Sequence, residues 1–120
     1  MTVLLIAAGA AVGAPLRYLT DRYLVHRLLV GQRTGTPFPW GTLTVNVLGS
    51  FILGLLTATT DRTVTLLLGV GFCGAFTTYS TFAAETTRLA ATGHRAKALL
   101  NITLNLAAGL AAAILGAAIA

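Results

Sequence analysis

The chain is 120 residues long, 56% of them hydrophobic and only 9% charged, with a formal net charge of +5. A water-soluble domain has about a quarter of its residues charged, so this chain lacks the polar surface to dissolve and reads as an all-α membrane protein, one transmembrane domain over residues 1–120. The basic excess would suggest nucleic acid on a soluble protein, but here the cations gather at span ends, where lipid headgroups and topology account for them, and neither a phosphate-binding glycine loop nor a Cys/His metal spacing is present.

A helix needs about 20 apolar residues to cross a bilayer. The first span is expected over residues 3–30, the last part of it polar. Its opening run, residues 3–16 with Ala8 and Ala10, resembles a signal peptide but has no Lys or Arg ahead of it and is followed by further spans. Pro15 should bend the helix because it cannot donate to the Ala11 carbonyl. Arg17 and Asp21 are four apart and can pair. Arg17 has two readings of equal weight: a cation snorkelling to the headgroups, or one at a vestibule that draws in anions. Asp21 is read as structural. Residues 31–37 form a connection rich in Gly and Pro, and Trp40 sits where an interfacial aromatic belongs.

The second span is expected over residues 41–60. Thr42, Asn46, Ser50 and Thr57 fall near one of its faces, and Gly49 and Gly54 allow a second backbone close. For the hydroxyls, interhelical hydrogen bonding is the stronger reading; for Asn46 a pathway role weighs as much, since an amide in lipid needs partners or water. Asp61 and Arg62 make a very short connection, so the second and third spans are antiparallel neighbours.

The third span, residues 63–91, contains GFCGAFTTYSTF at residues 71–82. Gly74 weakens the helix there, and Thr77, Thr78, Ser80 and Thr81 compete for its backbone bonds. The helix is therefore expected to break at its midpoint, and broken helices survive in a bilayer only inside protein or along a cavity. Freed carbonyls can hold a cation, and a new N-terminus can face an anion. Tyr79 and Phe82 are three apart on one face of the second half; by themselves they read as packing, but beside a broken helix and a run of hydroxyls their positive ring edges offer an anion weak attraction. Phe72 and Phe76 are read as packing, as is Cys73. Glu85 and Arg88 are expected to pair or face water, and His26 and His94 receive no role.

A polar turn at residues 92–95 leads to the fourth span, residues 96–120. Asn101 and Asn105 share a face that continues as a small-residue seam through Ala108, Gly109, Ala112 and Gly116. A polar track and interhelical bonding are equal readings of the two Asn. Arg22, Arg27, Arg33, Arg88, Arg95 and Lys97 fall on one side of the membrane and only Arg62 on the other, so both termini are expected outside the cytoplasm. Four short helices are too few to line a pore alone, so oligomerisation is expected.

The segments GAPLRY (residues 13–18), GTLTVNVLGSFILG (residues 41–54) and GFCGAFTTYSTF resemble the Fluc (CrcB) family of small fluoride channels, and the four-span length extends the resemblance over the chain. It implies passive export of fluoride across a bacterial or archaeal cell membrane through two pathways in an antiparallel dimer. It further implies a central sodium ion on the backbone carbonyls of Gly74 and Thr77 of both copies. Carried over position by position, Asn46 lines the pathway, Tyr79 and Phe82 take the two ring positions, Ser80 and Thr81 join the polar track, and Arg17 is the vestibule cation. Tyr79 stands where the family has phenylalanine, and Asn101 and Asn105 stand where it often has Tyr and Ser. The lopsided charges add that the chain pairs with itself or with an oppositely inserted paralogue. The rival readings are a proton-coupled four-helix drug exporter, which needs a carboxylate within the membrane, and a non-transporting assembly subunit. An enzyme has no visible nucleophile and base.

Overall fold

The structure, a computed structural model, describes residues 1–23 and 38–120. The expected end of the first span to residue 30, the connection at residues 31–37, His26, Arg27 and Arg33 lie outside the described residues.

Four helical spans cross the molecule's length, as composition predicts: α1 (Thr2–Tyr23), α2 (Trp40–Ala58), a third span (Arg62–Ala91) and α5 (Arg95–Ile119). The third is divided into α3, residues 62–76, and α4 (Ser80–Ala91). Within α3, Thr65–Cys73 is wound in the wide π form, with i→i+5 bonds. Among the described residues there is no strand.

Local chemistry fixes the ends. Asp61 caps the third span, its Oδ1 accepting from the Thr63 and Val64 N–H groups at 2.8 and 3.4 Å. α4 ends in a Schellman turn: the His94 N–H donates to Leu89 O at 2.8 Å, that of Gly93 to Ala90 O, and Gly93 takes a φ of 86°. α1 runs on through Pro15.

Without water to squeeze out, membrane helices associate by close backbone contact. Gly9 and Gly13 of α1 lie against the Leu67 and Phe72 carbonyls of α3. Gly54 of α2 lies against the Ala113 carbonyl of α5, and Gly116 returns the contact at Phe51. The expected seam on the fourth span thus packs on the second, which is its most extensive neighbour. α3 packs mainly on α1, whereas α4 packs on α5. The third span therefore changes partners at its break, and α2 crosses the junction, with Gly49 against the Thr77 methyl.

A methyl group at Gly13 would strike the fixed Phe72 carbonyl, while one at Gly69 meets only side-chain carbons at 3.7 Å or more. Gly13→Ala is expected to cost about 1–3 kcal/mol of stability. Gly69→Ala should leave it unchanged or raise it by up to about 1 kcal/mol. Unfolding of both variants in detergent micelles checks the pair.

Candidate ion pathway at the helix break

At Thr77 the backbone turns extended, with ψ 164°. The Thr78 N–H, which in an unbroken helix would donate to the Gly74 carbonyl, donates instead to Asn46 Oδ1 at 2.9 Å. The Thr81 N–H, which would close on the Thr77 carbonyl, donates to Thr78 Oγ1 at 3.2 Å. The carbonyls of Gly74 and Thr77, expected to hold a cation, are among those at the break that lose their helical donors. Asn46 completes a reciprocal pair, its Nδ2 donating to the Thr78 carbonyl at 3.3 Å.

From Asn46 a line of hydrogen bonds crosses to the last helix and back. Asn46 Nδ2 donates to Asn105 Oδ1 at 2.9 Å. Asn105 Nδ2 donates to Asn101 O and Oδ1 at 2.8 and 2.9 Å. Asn101 Nδ2 donates to Thr86 Oγ1 at 2.8 Å, and that hydroxyl donates to the Phe82 carbonyl, also at 2.8 Å. Every buried side-chain nitrogen and oxygen among the described residues has a partner, as a low-dielectric setting demands.

Two hollows flank the break. The larger, about 300 Å³, brings together Asn46, Ser50, Thr77, Thr78, Tyr79, Phe82 and Asn105. The Tyr79 and Phe82 rings lie 6.0 Å apart, tilted by 46°. Phe82 is partly covered, whereas Tyr79 is 80% exposed and its ring stands out from the chain. The smaller hollow, about 160 Å³, holds Arg17, Tyr18, Asp21, Thr42 and Thr81. Thr78, 8% exposed, lines both and forms the wall between them.

The expected site residues thus separate. Asn46, Tyr79, Phe82 and Asn105 meet in one hollow; Arg17 and Thr81 lie in the other. Asn101 is wholly buried behind Asn105 and lines neither. Ser80 is exposed and also lines neither, and Gly74 is exposed beside the break. Phe72 and Phe76 stack on each other at 5.5 Å, the packing role read for them.

Two pairings differ from expectation. Arg17 and Asp21 form no ion pair; Asp21 instead lies against Gly41 at the start of α2. Glu85 does not pair with Arg88. Its carboxylate accepts from the Thr42 hydroxyl of α2 at 2.6 Å, within the span, because α4 turns that face toward α2. Thr57 leaves the polar face of α2 by bonding its own Gly54 carbonyl. Thr86 and the Thr42–Glu85 bond had no separate signal, although Thr86 lies four residues after Phe82 on the ring-bearing face of α4.

Comparison with known proteins places the chain in a family. The family model described as "CrcB-like protein, Camphor Resistance (CrcB)" matches residues 4–117. The chain is 50% identical to the fluoride-specific ion channel FluC 1 of Streptomyces avermitilis, over 97% of this chain and 93% of that one. It is 48% identical to the FluC 1 channel of Frankia casuarinae, over 100% and 96%, and 49% identical to that of Thermobifida fusca, over 98% and 94%. The match to both family model and relatives runs nearly from end to end, and the chain belongs to the CrcB family.

Proposed function

We propose that this chain is a fluoride channel that lets cytoplasmic fluoride leave passively along the Asn46 hollow. The observation that carries the reading is the meeting of Asn46, Asn105, Tyr79 and Phe82 at the helix break, in a chain whose relatives are named fluoride-specific ion channels.

The chemistry follows from the ion. Fluoride is small and strongly hydrated, so it enters only where fixed donors replace its water. The amide hydrogens of Asn46, the hydroxyl of Ser50, and the ring edges of Phe82 and Tyr79 are the groups at hand. The 3.3 Å bond from Asn46 Nδ2 to the Thr78 carbonyl is the longest in the amide line, so its hydrogen is the one an arriving anion takes at least cost. Arg17 lies in the adjoining hollow and raises the local anion concentration. Ser80 and Thr81 extend the polar track, and Asn101 serves it from behind Asn105. Passive exit suffices, because hydrogen fluoride enters cells as a neutral acid and ionises inside.

A sodium ion at the break belongs to the same reading. The carbonyls of Gly74 and Thr77 would hold it, and the loss of their helical donors to Asn46 and Thr78 fits that role. Bound there it supplies positive charge that ties two breaks together. The second subunit, a copy of this chain or a paralogue, is antiparallel to it in a bacterial or archaeal cell membrane. Support comes from Tyr79, whose hydroxyl stands exposed at mid-span and needs a partner surface. The charge excess on one side supports pairing with an oppositely inserted paralogue.

Fluoride-electrode efflux from liposomes tests the channel. Fluoride should leave without a pH gradient while chloride stays; transport that requires the gradient would point to a proton-coupled exporter. Phe82→Ile should abolish efflux with assembly intact. Asn46→Asp sets a carboxylate against the Asn105 and Thr78 oxygens and should slow efflux at least about tenfold; wild-type rates in both variants would remove the hollow from the pathway. Cross-linking of the chain expressed alone tests its partner. Parallel or monomeric chains without efflux are expected if a paralogue is required, and a conducting antiparallel homodimer rejects that need.

A further inference from the structure

We propose that Thr86, which lines neither hollow, is a positioning residue for the anion pathway: its hydroxyl fixes the direction in which the Asn101–Asn105–Asn46 amide line points. The inference rests on the fluoride reading above.

A carboxamide has nearly the same shape after a 180° turn, but donor and acceptor change places. Three such groups in series could run in either sense. The ends decide. At one end is a peptide N–H, that of Thr78, which can only donate and so holds Asn46 Oδ1 toward it. At the other is the Phe82 carbonyl, which can only accept. Thr86 joins the line to that second end. Its single hydroxyl hydrogen is spent on the Phe82 carbonyl, so its oxygen is left to accept, and Asn101 must present Nδ2 to it. Asn101 Oδ1 then faces Asn105 Nδ2, and Asn105 Oδ1 faces Asn46 Nδ2. One turned amide would set donor against donor at one contact and acceptor against acceptor at another.

The consequence reaches the pathway. Asn46 offers N–H groups there because Asn105 presents oxygen, and Asn105 presents oxygen because its Nδ2 is held by the Asn101 backbone carbonyl and by Asn101 Oδ1, which Thr86 keeps turned toward it in a residue 0% exposed. Without the hydroxyl, Asn101 Nδ2 loses its acceptor in a buried setting, and turning the amide becomes the cheaper outcome. A turned Asn101 then sets its Nδ2 against Asn105 Nδ2, donor against donor, and the Asn105–Asn46 contact at the pathway is strained from behind.

Two substitutions separate this role from packing. Thr86→Val keeps the shape and removes the hydroxyl; Thr86→Ser keeps the hydroxyl and removes a methyl. With wild type in parallel, Thr86→Val is expected to slow fluoride efflux roughly tenfold, and Thr86→Ser to stay within about twofold of wild type. A packing role gives the reverse order. If Thr86→Val does not assemble, Thr86→Val with Asn101→Leu removes both partners of the bond, and the same slow efflux is expected. Wild-type efflux in the assembled Val variant or in the double variant overturns the proposal while leaving the fluoride reading standing. A wild-type chain that moves no fluoride either alone or reconstituted with an oppositely inserted paralogue overturns both.

Discussion

A peptide N–H inside a bilayer must have a partner, and at Thr78 that partner is the Asn46 carboxamide, 2.9 Å away on another span. The bond replaces a helical one, so the Thr78 N–H is not left bare where the third span stops and restarts. The same carboxamide returns a hydrogen to the Thr78 carbonyl. One side chain therefore bonds both backbone groups of a single residue, Thr78, at the division of the span into α3 and α4.

The arrangement of helices follows. Because the span is interrupted, its first half can stay on α1 through the Gly9 and Gly13 contacts while its second half turns to α5. α2 must cross close to the junction for Asn46 to reach it, and Gly49, with only hydrogen on its α-carbon, admits the Thr77 methyl there. The rings of Tyr79 and Phe82 begin the second half and are carried to the mouth of the hollow that Asn46 lines. Closure of the backbone bonds and the proposed anion path thus draw on the same residues, the hydroxyls and the amide of an otherwise apolar chain.

Much of this was legible in sequence. The four spans follow from runs of apolar residues long enough for a bilayer, and the break at residues 77–79 from Gly74 and the hydroxyls after it, since those residues draw backbone bonds away locally. Asn46 and Asn105 stood out because amides in lipid demand partners. What composition could not supply was who those partners are. The Asn46–Thr78 pair spans 32 positions and the Asn46–Asn105 bond 59, separations set by how the spans pack. Local spacing misled for the same reason: Arg17–Asp21 and Glu85–Arg88 had helical spacing for ion pairs, yet Asp21 met Gly41 and Glu85 met Thr42 on α2. Thr86 looked like one more hydroxyl until Asn101 was seen beside it.

The central claim is that the Asn46 carboxamide both holds the break and offers hydrogen to the passing anion. Its most direct test is the fluoride efflux rate of Asn46→Leu in liposomes, for chains that assemble as wild type does. Leucine keeps the γ-branched shape of the amide but neither donates nor accepts. Efflux no faster than from protein-free liposomes is the predicted result; efflux at the wild-type rate would contradict the role assigned to Asn46.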